Sequence, residues 1–163
     1  MNIVKFSVTN YRSITQASKI PISGITVLIG KNNEGKSNML KALNVSMEIL
    51  RLHGSNRRTT FTNNLTRRRN GMSYDWYRDF PISLQSRKSN TQSIFRLEFE
   101  LSNEEVVEFK KEIKSNLNGT LPIEIRIGKD FEPKIKVIKT GRGSKTLNAK
   151  SNKIAEYIAK KIV

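Results

Sequence analysis

A glycine-rich octapeptide, G-K-N-N-E-G-K-S at residues 30–37, constrains the fold of this chain more than any other feature. It follows a β-branched apolar run at residues 25–29, which predicts a short strand buried on both faces. After it, apolar residues recur at helical spacing: Leu40, Leu43, Met47 and Leu50. Strand, loop and helix in this order are the context in which G-x-x-x-x-G-K-[ST] binds phosphate. The sequence therefore predicts a phosphate-binding loop.

Each residue type in the loop has a task in holding a nucleoside triphosphate. The two glycines permit positive φ and leave no Cβ between the backbone and a phosphate. Backbone amides at the start of the helix attract phosphate oxygens. Lys36 is placed to reach the β- and γ-phosphates, and the Ser37 hydroxyl to ligate Mg²⁺. The predicted contact set is Gly30, Asn32, Asn33, Glu34, Gly35, Lys36, Ser37 and Asn38.

Several strings resemble the ATPases that group RecF, the structural maintenance of chromosomes (SMC) proteins and the OLD family. Residues 2–14 resemble their opening strand and N-[FY]-R-[SN] stretch. The loop variant G-x-N-N-x-G-K-S-N and the string D-F-P-I-S-L-Q at residues 79–85 are similar to OLD-type ATPases. The resemblance covers nearly the whole chain. It implies an α/β fold: a P-loop NTPase lobe of ABC/SMC type with a mixed, partly antiparallel sheet, using ATP and Mg²⁺.

The resemblance also implies site residues outside the loop. Arg12 and Ser13 correspond to positions beside the nucleotide, although a turn arginine on a solvated edge is an open alternative for Arg12. Gln85 matches a glutamine that touches magnesium and the attacking water, and Gln92 is the second choice. With Lys36, Gln85 is thus a candidate catalytic residue.

The carboxylates that hydrolysis requires are not recognisable in the sequence. No apolar run ends in Asp-Glu, where one carboxylate would hold magnesium and the other would position water. Glu104 and Glu105 instead follow Ser102 as a helix capping box. A last helix is predicted from Ser151, with Ile154, Ile158 and Ile162 on one face. We therefore expect residues 1–163 to be the amino-terminal part of an ATPase domain that continues beyond 163, and this segment alone to be inactive.

Positive charge is concentrated in the middle of the chain. The chain carries 30 Lys and Arg against 14 Asp and Glu, and residues 51–92 carry nine basic and two acidic side chains. A polar, arginine-rich insertion at about residues 53–92 suits nucleic-acid phosphates, although a solvated loop that touches nothing specific is the alternative. The candidate contacts are Arg57, Arg58, Arg67, Arg68 and Arg69. Next to it, the aromatic cluster Tyr74, Trp76, Tyr77 and Phe80 favours packing over base stacking.

Period-two alternation predicts a β-meander in the second half. Its strands centre on Phe95 to Leu101, Leu121 to Ile127 and Ile135 to Val137, with a further short strand to Leu147. A helix is expected between the first two, from about Glu104 to Asn116.

Composition narrows the class of protein. The sequence has no membrane-length apolar stretch and no cysteine, which fits a cytoplasmic protein with neither a disulfide framework nor a thiolate metal site. Its one histidine, His53, excludes a multi-histidine metal centre.

Three functions remain open. The first is an OLD-like ATPase that forms a homodimer or higher homo-oligomer and processes DNA, in antiphage defence with a nuclease domain or partner. A DNA-repair ATPase of the SMC/RecF kind is the alternative form of this first function. The second is a basic nucleic-acid-binding scaffold whose nucleotide is structural or vestigial. A small-molecule kinase is the weakest of the three.

Overall fold

The computed structural model describes residues 1–31, 35–54, 74–86, 92–114, 116–138 and 151–162. The strands are β1 (Asn2–Tyr11), β2 (Ile14–Pro21), β3 (Ser93–Glu100), β4 (Thr120–Ile127) and β5 (Lys134–Val137). The helices are α1 (Lys36–Gly54), α2 (Trp76–Asp79), α3 (Ile82–Gln85), α4 (Asn103–Ile113) and α5 (Ser151–Ile162). Over these ranges, no helix is both long and apolar enough to cross a membrane.

One five-stranded sheet, in the order β2-β1-β3-β4-β5, forms the frame of the molecule. All four pairings between the described strands are antiparallel. The α/β class is confirmed, and so is the β3-β4-β5 meander. The parallel strands of a mixed sheet are not among the described residues.

Alternation along the strands separates the core face of the sheet from its outer face. On β3, Phe95, Leu97 and Phe99 are buried while Arg96 and Glu100 are exposed. The same period continues on the neighbouring strands, because directly paired residues of an antiparallel sheet share a face. The core face carries Phe6, Val8, Phe95, Leu97, Phe99, Ile123, Ile125, Ile135 and Val137.

Helices α1 and α5 cover that core face and pack against each other. The buried face of α1 includes Ala42, Val45 and Ile49, and α5 contributes Ile154 and Ile158, both fully buried. The face predicted from Ile154 and Ile158 is therefore confirmed. Burial of an apolar face, rather than intrinsic propensity, is what stabilises helices of this length.

Helix α4 begins with the predicted capping box. The Ser102 hydroxyl accepts from the Glu105 amide at 3.3 Å, and the Glu105 carboxylate accepts from the Ser102 amide at 2.9 Å. The backbone amides of Ser102 and Glu105, which lack intrahelical acceptors, are thus both satisfied by side chains. At its other end the helix stops at Ile113, earlier than expected, because Lys114 adopts a left-handed φ of 55°.

The predicted strand at residues 25–29 is wrong for this structure. The side chains of Ile25, Val27 and Ile29 are 87%, 72% and 92% exposed, and no strand is formed there. A strand needs backbone partners on at least one side, and none of the described strands pairs with this run. Strand β2, in contrast, was not predicted, because its I-T-Q-A-S-K-I-P sequence has little apolar alternation.

Parts of the predictions lie outside the described residues. They include the five arginines of the basic insertion at Arg57, Arg58 and residues 67–69, and the short strand to Leu147. The continuation of the domain beyond residue 163 stays a prediction.

Candidate nucleotide-binding site

The second glycine of the loop has the conformation that the motif requires. Gly35 adopts a φ of 90°. A side chain at Gly35 would be strained at that φ, and its Cβ would contact Ser13 Oγ and Ile14 Cγ1 at 3.6 Å. Glycine at position 35 therefore lets the backbone turn into α1 without a side chain between the loop and the β1–β2 turn.

Lys36 lies at the first position of α1 and folds back over the loop. Its Nζ donates to the carbonyl oxygens of Gly30 and Lys31, the latter at 2.6 Å. Ser37 follows it, exposed in the first helical turn. The first amides of a helix have no intrahelical acceptor, so an ammonium, a hydroxyl and amides suited to an external acceptor lie together at the start of α1. Asn32, Asn33 and Glu34 lie outside the described residues.

The β1–β2 turn brings Arg12 and Ser13 to the same place. Asn38 Nδ2, on the first turn of α1, donates to Ser13 Oγ at 2.8 Å. Asn10 and Arg12 adopt left-handed φ values of 56° and 51°, which is uncommon for residues with a Cβ. This hydrogen bond joins residues 25 positions apart and ties the turn to the P-loop helix. The predicted proximity of Arg12 and Ser13 to the loop is therefore present; their contact with nucleotide stays a prediction.

Asp79 anchors two arginines beside that turn. Its fully buried carboxylate accepts from Arg12 Nε at 2.8 Å and from Arg78 Nη2 at 2.7 Å. The Asp75 amide donates to it at 2.8 Å, and the Arg12 amide donates to the Asp79 backbone carbonyl at 2.6 Å. A buried carboxylate is tolerated only when it is paired in this way. The Asp79 hydrogen bond in turn raises the pKa of the Arg78 guanidinium.

Arg78 is the candidate site residue that the sequence did not reveal. It lines a cleft of about 520 Å³ together with Arg12, Ser13 and Asn38. The only sequence signal is its position next to Asp79 in the R-D-F-P string. Nothing in the sequence shows that Asp79 is buried and shared with Arg12.

Two clefts meet at Ser13 and Thr15, which line both. The second cleft, of about 560 Å³, is lined by Gly35 and Lys36 along with Leu28, Ile29 and Met39. The shared residues place an arginine pair on one side and the P-loop lysine on the other. Such an arrangement suits an elongated anion whose charges extend across both clefts.

Tyr11 lies beneath the arginines and remains neutral. Burial raises the pKa of its phenol, and the nearby Asp79 carboxylate raises it further. Its ring packs edge-on against Phe95 with centroids 5.6 Å apart, and the Arg12 guanidinium lies 5.6 Å from the Tyr11 ring centroid. The Tyr11 ring therefore makes a cation–π contact with the Arg12 guanidinium.

Gln85 is hydrogen-bonded within its own segment of the chain. Its Nε2 donates to the carbonyls of Tyr77 at 3.0 Å and Phe80 at 2.9 Å. These bonds close the turn between α2 and α3. Gln92 lies before β3, against Gly128. Neither glutamine is among the described residues that line the clefts, so the roles predicted for Gln85 on magnesium and water stay predictions.

The aromatic cluster packs, as expected, with one exception. Tyr74, Trp76 and Phe80 are buried, and the Trp76 and Phe80 rings stack with centroids 5.1 Å apart. Tyr77 is 56% exposed. Burial of the other three fixes the D-F-P segment, and with it Asp79, against the domain.

Comparison with known proteins identifies the family. A profile described as the AAA ATPase domain matches residues 1–162. The chain belongs to this AAA ATPase domain family. Family membership agrees with the P-loop geometry and makes the chain an ATP-binding, AAA-type module of the P-loop ATPases.

Among solved structures, one chain is similar over 98% of this AAA ATPase domain and 78% of its own length, with a TM-score of 0.49 and 16% identity. It comes from work described as the structural biochemistry of ATP-driven dimerization and DNA-stimulated activation of SMC ATPases. No curated protein matches the chain.

The residues of the site fit magnesium and ATP. The Ser37 hydroxyl is exposed at the start of α1 and is the hard oxygen ligand that Mg²⁺ prefers. Lys36 supplies positive charge in one of the two adjoining clefts, Arg12 and Arg78 supply it in the other, and Gly35 has a positive φ of 90°.

Proposed function

We propose that this domain binds magnesium-ATP at the P-loop and acts in an ATPase that closes as a homodimer on DNA. The observation that carries the proposal is the hydrogen bond from Asn38 to Ser13, which joins the P-loop helix to the turn bearing Arg12. Lys36 and Arg12 thereby border two adjoining clefts that share Ser13, which supports the binding of one elongated anion across both.

Different residues of the chain bind the phosphates and the metal. When bound, magnesium-ATP supplies the γ-phosphoryl group that hydrolysis transfers to water. Lys36 is released from the carbonyls of Gly30 and Lys31 to neutralise phosphate charge, and Ser37 ligates the metal. Arg12, oriented by Asp79, neutralises charge from the other side. Hydrolysis itself requires carboxylates that are not recognisable in the sequence.

The first test is nucleotide affinity of Lys36→Ala. Loss of a charge-assisted hydrogen bond to phosphate costs about 1.5–3 kcal/mol, so ATP affinity should fall about 10- to 100-fold. Isothermal titration with magnesium-ATP measures it. Lys41→Ala is the matched control, because Lys41 is exposed on the same helix and loses the same charge.

Two results would contradict the proposal. Equal ATP affinity in Lys36→Ala and the unsubstituted chain would show that the loop does not hold the triphosphate. An equal fall in Lys36→Ala and Lys41→Ala would show that only net charge matters.

The wider biological role is proposed from the family resemblance. OLD-like ATPases work in antiphage defence with a nuclease domain or partner, and this domain would supply their ATP-dependent dimerisation. An SMC/RecF-like role in DNA repair is the alternative. The net charge of +16 favours a second candidate, a basic scaffold that binds nucleic acid independently of nucleotide.

A further inference from the structure

A row of polar side chains crosses the outer face of the sheet. Ser7 pairs with Arg96, Arg96 with Glu124, and Glu124 with Lys136. On the β2 side, the Lys19 amide donates to Ser7 Oγ at 2.8 Å, which places Lys19 at the end of the same row. The row therefore reaches all five strands, about 19 Å at the usual strand spacing.

The row forms the floor of a groove of about 610 Å³. Its lining includes five cations, Lys5, Lys19, Arg96, Arg126 and Lys136, and two carboxylates, Glu98 and Glu124. These side chains alternate with the core residues of the strands. The groove thus lies on the face turned away from α1 and α5, separate from the clefts at the P-loop.

The centre of the groove is a pair of arginines fixed by a buried carboxylate. Glu124, whose side chain is 6% exposed, accepts from Arg96 Nε at 2.7 Å and from Arg126 Nε at 2.6 Å. The two arginine side chains remain 54% and 41% exposed. Each is held through Nε, so its two terminal nitrogens are not used in the bond to Glu124. Guanidinium groups oriented in this way are suited to phosphate oxygens.

The spread of charge favours a polymer over a small anion. Lys19 and Lys136 lie at opposite ends of the row, too far apart for a single phosphate group to contact both. No aromatic side chain is among the described residues that line the groove. Proteins that bind single strands rely on aromatic stacking, whereas a duplex presents regularly spaced phosphates to a basic surface.

We propose that this outer-face groove binds the phosphate backbone of double-stranded DNA without reading its sequence. Cation contacts to phosphate position a duplex but carry no base information. The inference rests on the DNA-processing part of the proposed function but not on ATP binding. It also places DNA on described strands of the sheet instead of on the arginine-rich insertion.

The test compares two double variants of equal charge. Lys19→Gln/Lys136→Gln removes the two ends of the row, and neither side chain makes an ion pair among the described residues. Lys110→Gln/Lys160→Gln is the control, since both lysines are exposed on α4 and α5. Binding of a short fluorescein-labelled duplex is followed by anisotropy between about 50 and 200 mM salt, without nucleotide.

The expected result is a smaller salt dependence for the groove variant alone. Loss of two phosphate contacts lowers the magnitude of the slope of log K against log salt by about 1.8. The control variant should keep the slope of the unsubstituted chain. An unchanged slope in the groove variant, or equal losses in both variants, overturns the proposal. The groove variant should keep the magnesium-ATP affinity of the unsubstituted chain in calorimetry, since Lys19 and Lys136 line neither cleft at the P-loop, so a failure of ATP binding remains distinguishable from a failure of the groove.

Discussion

At the residue scale, Asp79 determines the arrangement of charge next to the loop. One fully buried carboxylate orients Arg12 from the β1–β2 turn and Arg78 from α2. Arginine side chains in solvent sample many rotamers, and fixing them before ligand binding reduces the entropy lost on binding. Asp79 is therefore a positioning residue for the two guanidinium groups.

We expect Asp79→Asn to destabilise the chain by about 2 kcal/mol or more. The substitution keeps the shape of the side chain but replaces charge-assisted bonds with neutral ones and offers an amide donor to groups that are themselves donors. Urea unfolding measures the change. Asp130→Asn is the control, because Asp130 is 45% exposed and lies 3.9 Å from Lys134, so it should cost under about 0.5 kcal/mol. Equal stability of the two variants would rule out the role of Asp79.

The sequence predicted the local part of this site and not the distant part. Gly35, Lys36 and Ser37 are adjacent in the chain, so their spacing alone revealed their task. Arg12 and Asp79 are 67 positions apart, and their ion pair arises only when β1 packs beside α2. Resemblance to a family indicated Arg12, but no pattern indicated Arg78.

At the element scale, α1 and α5 cross at a point where only glycine fits. A Cβ on Gly54 would lie 2.6 Å from the Ala155 carbonyl oxygen and from the Ala159 Cβ. The small residues on both helices permit this approach. The α1–α5 contact in turn covers the core face of the sheet.

Gly54→Ala should therefore destabilise the chain by about 1–3 kcal/mol, because the helices must separate to admit the methyl group. The better helix propensity of alanine offsets part of that cost. Thermal unfolding followed by circular dichroism measures the change. Gly24→Ala is the matched control, since a Cβ there meets nothing within 4 Å. A Gly54→Ala variant as stable as Gly24→Ala would contradict the close approach of α1 and α5 at Gly54.

Strands were predictable where their own pattern was strong. The alternation of Phe95, Leu97 and Phe99 predicted β3, because every second residue of a half-buried strand faces the core and is apolar. The strand predicted from the apolar run at residues 25–29 was wrong, since a β-branched segment forms a strand only where partner strands lie beside it. Strand β2 was missed for the converse reason: pairing with β1 forms it despite its polar sequence.

At the scale of the whole molecule, the sequence gives the amount of charge but not its location. The net charge of +16 suggested a polyanion partner, and the arginine-rich insertion was the obvious place for it. The strand register instead aligns Lys19, Arg96 and Lys136 across one face. Such a row combines residues from three distant segments, so only the fold could reveal it.

Strand β2 connects the two sites physically. Its residues Thr15, Gln16 and Ala17 line the cleft beside the P-loop, and the next two, Ser18 and Lys19, line the outer-face groove. Lys19 has a left-handed φ of 54° and its amide is bonded to Ser7, so its position depends on the β1–β2 pairing. Strand β2 is therefore a route by which a shift at its P-loop end could reach the groove.

We therefore predict that ATP and DNA binding are coupled. Magnesium-ATP should tighten duplex binding by at least about fivefold, and duplex should tighten ATP binding by the same factor, because linkage is reciprocal. Anisotropy titrations with and without nucleotide, paired with calorimetry with and without duplex, measure both factors. Lys36→Ala should abolish the coupling and retain duplex affinity in the absence of nucleotide, while Lys41→Ala should retain both. Duplex affinity that is the same with and without ATP would favour the basic scaffold over the ATPase that closes on DNA.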